Sequence, residues 1–93
     1  MAIVVVKQPA EDMLVDFDCS NILRATETIS SVTSVAESTS VLTFPGSSAI
    51  TGQIIQDRVA GGVDGTTYKV TITFVTDMSP IREADFYISV QEL

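Results

Sequence analysis

Apolar and polar residues alternate most cleanly between Tyr68 and Val75. Tyr68, Val70, Ile72 and Phe74 are spaced two apart, with Lys69, Thr71 and Thr73 between them. Successive strand side chains point to opposite faces, so this spacing puts four large apolar groups on one side. The run is β-branched and aromatic, which suits a pleated sheet better than a helix. Arg82 to Val90 repeats the pattern: Ala84, Phe86, Ile88 and Val90 are predicted to face in, and Asp85, Tyr87, Ser89 and Gln91 out. The two runs match in length and phase, which predicts a long antiparallel hairpin.

Weaker versions of the pattern fill the rest of the chain. Ile3 to Val6 is a continuous apolar run ended by Lys7, Gln8 and Pro9, consistent with a strand covered on both faces. It is free to pair with its own sheet or with a neighbouring subunit. In Met13 to Cys19, Met13, Val15, Phe17 and Cys19 alternate with Leu14, Asp16 and Asp18, predicting a half-buried strand. Ser20 to Thr28 reads as a turn or one helical turn in which Ile22 and Leu23 plug one end of the core, with Ser20 as a cap. Ile29, Val32 and Val35 fall three apart in a Ser/Thr-rich stretch, predicting a strand re-phased by a bulge. Val41 to Phe44 is a short strand closed by Pro45 and Gly46. Thr51 to Val59 has a less clear apolar face and reads as an edge strand, with Asp57 and Arg58 as edge charges.

Gly61, Gly62 and Gly65 then mark a tight turn. It leads into a strand and carries no GxxxxGK[ST] motif, so a phosphate cradle is excluded. Short strands separated by turns, with no convincing helix, predict an all-β, immunoglobulin-like antiparallel β-sandwich of about seven strands. Residues 1–12 form an N-terminal arm or edge strand and residues 13–93 the sandwich domain. Tyr68 after Asp64 and Gly65 suggests a tyrosine corner, the phenol bonding upstream backbone. Phe74 and Phe86 belong to the predicted core.

Composition narrows the function classes. Ninety-three residues, 45% of them hydrophobic, make one globular core. Twelve acidic against five basic residues give a net charge of -7. That disfavours binding to nucleic acid or to anionic membranes, both of which attract clustered Lys and Arg. The charge serves solubility or, on a sharper reading, steers the protein to a basic partner. Ile3, Val4, Val5 and Val6, as an edge available for strand addition, and Tyr87, on the outer face, are the candidate partner contacts.

No catalytic constellation is present. The chain has no His and one cysteine, Cys19, which reads as a buried and inert thiol. A hydrolytic triad needs a base beside its nucleophile. Asp16 and Asp18 share a strand face, but a hard-cation site needs more oxygens than they supply, and a solvated or partner-facing edge is the better reading. No catalytic, cofactor-binding or metal-ligating residue is assigned. No targeting segment or membrane span is evident, and Ala2 to Val6 is too short for a signal-peptide core.

The chain resembles a small family of tailed-bacteriophage virion proteins, immunoglobulin-like proteins described as fiber–tail adaptors or head–tail-region accessory proteins. The resemblance rests on Lys7, Pro9 and Glu11, then Val15-Asp16-Phe17-Asp18, Ile22-Leu23 and Thr28-Ile29. It continues through Gly61-Gly62, Gly65, Tyr68 and Val70-Thr71-Ile72 to Arg82-Glu83, Phe86 and Val90. The chain departs from the pattern in having no Trp. The resemblance implies a non-enzymatic structural virion protein, made in the host cytoplasm and present in several copies. Its partners would be portal, neck, capsid, tail or fiber components, which it docks on or bridges. The alternative is a small module that binds a glycan or another surface ligand, with Tyr87 as its stacking residue.

Overall fold

The computed structural model describes residues 4–92. It contains eight strands: β1 Val4–Lys7, β2 Met13–Asp18, β3 Ile29–Glu37, β4 Leu42–Thr43, β5 Ala49–Thr51, β6 Ile54–Gly61, β7 Thr66–Thr76 and β8 Arg82–Val90. They form two sheets. One has the order β1-β8-β7-β3; the other has the order β2-β6-β4, with β5 also pairing β6. The neighbours β8-β7-β3 and β2-β6-β4 reproduce the two facing layers of an immunoglobulin-like sandwich. The fold is all-β, as the sequence predicts.

The β7–β8 hairpin is the centre of the first sheet, in register from Thr66↔Val90 to Phe74↔Arg82. Its inward residues Val70, Ile72, Phe74, Ile88 and Val90 are fully buried. They meet Val15 and Phe17 of β2 and Ile55 and Val59 of β6 across the sandwich. Phe17 and Phe86 join the layers directly, with ring centroids 4.9 Å apart and planes tilted by 57°, a favoured aromatic geometry.

The three-residue spacing in β3 is resolved by two register shifts against β7, between Ile29 and Ser31 and between Val32 and Ser34. Each inserts one residue, so Ile29, Val32 and Val35 all reach the core side despite the broken alternation.

Five expectations are corrected. The predicted edge strand Thr51 to Val59 is divided between the end of β5, a turn and β6, and β6 is the middle of the second sheet, with β2 on one side and β4 and β5 also paired to it. Asp57 is therefore not an edge charge; it is 4% exposed. β1 is not covered on both faces, because Val6 is 47% exposed. It pairs parallel to β8, from Val4↔Tyr87 to Lys7↔Val90, so the sandwich is not purely antiparallel. Of the predicted end plug, Leu23 is buried but Ile22 is exposed. The 19–23 turn brings the Leu23 N–H back to the Cys19 carbonyl at 3.3 Å and directs the two neighbours apart.

Each end of the sandwich is closed by a buried charge. At one end Lys7 is fully buried. Its ammonium donates to the carbonyls of Gln8 (2.7 Å), Gly61 (2.7 Å) and Pro9 (3.3 Å). Three donors thus meet three acceptors, and β1 of one sheet is tied to the end of β6 in the other. At the opposite end Glu27 is fully buried. It accepts from Arg82 Nη2 (2.8 Å) and Nε (3.2 Å), from the Arg24 N–H (3.2 Å) and from the Thr76 hydroxyl. The 24–27 loop is thereby held to the β7–β8 turn.

Candidate functional site

The glycine turn builds the Lys7 end. Tyr68 is buried, and its hydroxyl accepts the Val63 N–H at 2.9 Å, the predicted tyrosine corner. Gly62 has φ +105°, and a Cβ there would lie 2.6 Å from Val90 Cγ2 and 3.2 Å from Leu42 Cδ2. Only glycine allows the chain to pass this close to the packed side chains. Glu37 caps the adjoining 37–42 turn, accepting from the N–H groups of Thr39, Val41 (3.1 Å) and Leu42 (3.2 Å) and from the Thr39 hydroxyl. Burial pushes its carboxyl up, but these bonds outweigh it and hold the pKa below the ordinary glutamate value.

The candidate contact residues sit beside this end. Ile3 lies outside the described residues. Val5 packs against the core and Val6 faces outward. Tyr87 is half-buried, registered with Val4 of β1 and Lys69 of β7. The same outer face carries Lys69 and Asp85, an ion pair at 3.5 Å. β1 pairs only β8 among the described strands, leaving its other edge open. Exposed apolar side chains gather at both ends of the sandwich: Val41 and Val63 at the Lys7 end, Ile22, Met78 and Ile81 at the Glu27 end.

The two acids of β2 are already occupied. Asp16 accepts from Gln56 at 2.8 Å and Asp18 caps the Ser20 N–H at 2.9 Å. Asp18, Glu83 and Asp85 line a shallow cleft of about 210 Å³ with Ile22 and Phe86. Asp85 there is engaged by Thr71 and Lys69. Among the described residues no group of three or more His, Cys, Asp or Glu side chains is arranged to hold a metal ion. Cys19 is buried, and desolvation together with the nearby Asp18 pushes its thiol up to about 11, which keeps it protonated and unreactive near neutral pH.

A second cleft, of about 240 Å³, opens between β3 and the 44–48 segment, with Asp57 at its base. Sequence reasoning placed Asp57 at an edge. Its shared parity with Ile55 and Val59 was the signal that it points inward.

This arrangement offers surfaces and a rigid frame, with no assembled nucleophile, base or cofactor cradle among the described residues. A family model for the podophage GP4 fiber-tail adaptor protein gp77 matches residues 7–89. The chain belongs to that family. The matched span runs from Lys7, the lysine that locks β1, to Ser89 in β8, so the fiber-tail adaptor family is defined on the sandwich itself. It is a family of structural phage proteins of the virion tail. Tyr87 lies within the matched span; Val4, Val5 and Val6 precede it. A search of curated proteins finds no match.

Proposed function

We propose that this protein is a non-enzymatic element of the phage tail that docks on, or bridges, other virion proteins through preformed surfaces of the sandwich. The observation that carries the reading is the near-coincidence of the adaptor family's span, 7–89, with the two packed sheets. The adaptor role then belongs to the folded unit. The molecule measures 39 × 26 × 20 Å, and strands of nine to eleven residues account for the long axis. Apolar loops at both ends give such a spacer two places to hold, and it works in several copies per particle.

The open edge of β1 is the proposed docking line. Residues 4–12 serve as the edge of the domain formed with residues 13–92. β1 stays paired to β8, and a partner strand adds to its outer edge, with Val6 and Tyr87 contributing side-chain contacts. A double variant, Val6→Asp with Tyr87→Ala, alters this line at one exposed and one half-buried side chain outside the core. It should melt within a few degrees of wild type and be depleted from purified particles in quantitative mass spectrometry. Full incorporation of the folded double variant would remove this docking line.

A further inference from the structure

The cleft between β3 and the 44–48 segment has an unusual base. Asp57 Oδ1 accepts the Ser48 hydroxyl at 2.5 Å. Asp57 Oδ2 is buried and finds no donor among the described residues. A buried carboxylate oxygen without a partner is costly, and native folds seldom leave one unused. Four of the chain's five Lys and Arg are committed elsewhere: Lys7 to three carbonyls, Arg58 to Asp12, Lys69 to Asp85 and Arg82 to Glu27.

The walls define what fits. Val32, Val35 and Phe44 line the cleft and pack partly against the core. An aliphatic stem is matched to such walls, with a donor at its tip for Asp57. Because Ser48 already holds Oδ1, one oxygen is free, which favours a single-point ammonium over a guanidinium fork needing two. The net charge of -7 attracts a basic partner. We propose that this cleft is a receptor for one lysine side chain of a partner virion protein, its stem between Val32, Val35 and Phe44 and its ammonium on Asp57 Oδ2. This deepens the adaptor reading by naming a contact chemistry, and it rests on that reading only for the identity of the partner.

The test uses the isolated full chain and a small probe, Nα-acetyl-lysine-N-methylamide, followed by amide chemical shifts. Saturable shifts are expected at residues 32–35, 46–48 and 57. The Nε-acetylated probe, which lacks the charge, should bind about tenfold more weakly, as should Asp57→Asn, each losing a charge-assisted hydrogen bond. Ser34→Lys, at an exposed lining position, places a competing ammonium at the mouth without touching the core. It should weaken the probe and keeps the test decisive if Asp57→Asn does not fold. Absence of saturable shifts, or equal binding of the acetylated probe, overturns the proposal. A result of that kind leaves incorporation into particles, which tests the adaptor role, unaffected.

Discussion

Replacing Gly62 by alanine probes how tightly the Lys7 end is closed, and Gly65→Ala is its internal control. Both glycines have positive φ, +105° and +83°. An L-residue is strained at either, by about 1–2 kcal/mol. The entropy lost by the unfolded chain on Gly→Ala is the same in both and cancels in the comparison. The surroundings differ. Around Gly65 an added Cβ meets nothing within 4 Å, whereas at Gly62 it falls 2.6 Å from Val90 Cγ2, inside any permissible contact. Val90 is fully buried and Leu42 nearly so, which leaves little room to move. Overpacking of this kind costs about 1–3 kcal/mol. In a domain of this size about 1 kcal/mol shifts the midpoint by roughly 4–8 °C, so Gly62→Ala should melt roughly 4–24 °C below Gly65→Ala. Thermal unfolding followed by circular dichroism reads the difference. Coincident melting curves for the two variants would refute the packing assigned to Gly62, Val90 and Leu42.

The other predictions concern the core and the two buried charges. Phe74→Ala should lose about 3–5 kcal/mol through its cavity, while Tyr68→Phe should lose about 1 kcal/mol with the Val63 bond; urea titration separates the two. Lys7→Met keeps the stem but strips the carbonyls of Gln8, Pro9 and Gly61 of their donor, and should cost about 1–3 kcal/mol in the same assay. The Arg82 and Thr76 hydrogen bonds, with smaller help from the Arg24 N–H, hold Glu27 at about 2, against an ordinary value of 4.5. A folded pKa below the unfolded one contributes stability above about pH 4.5 that is lost as pH falls toward about 2. Glu27→Gln should therefore flatten the acid limb of the stability–pH curve. An unchanged limb would show that the Arg82 pair does not govern it.

The strands with strict alternation were legible because a period of two has one physical meaning. Tyr68 to Val75 and Arg82 to Val90 needed no further information, and the tyrosine corner followed from a buried phenol's need for a partner. The bulged β3 was readable only because its apolar residues are β-branched. What escaped were the inward charges. Lys7 ends an apolar run and looks like a terminator, yet it shares the parity of Val5, and the carbonyls that satisfy it come partly from Gly61, 54 residues away. Glu27 sits in a loop with no periodicity, and its role exists only once Arg82 is brought to it across 55 positions. Asp57 carried the right parity, but its sheet position depends on β2, β4 and β5 all choosing β6 as partner. Of the candidate contacts, Val6 is exposed while Val5 packs against the core and Tyr87 is half-buried; the pairing of β1 within its own sheet was not legible, because an apolar strand has no intrinsic preference between a neighbour in its own chain and one in another.

A structural part of the phage tail must be present in finished particles. Quantitative mass spectrometry of purified particles from the parent phage of this protein reads its presence there. The protein is expected at a fixed ratio to the tail and fiber proteins, retained through repeated purification. Its absence from particles, while abundant in infected cells, would show that it is not a structural part of the tail.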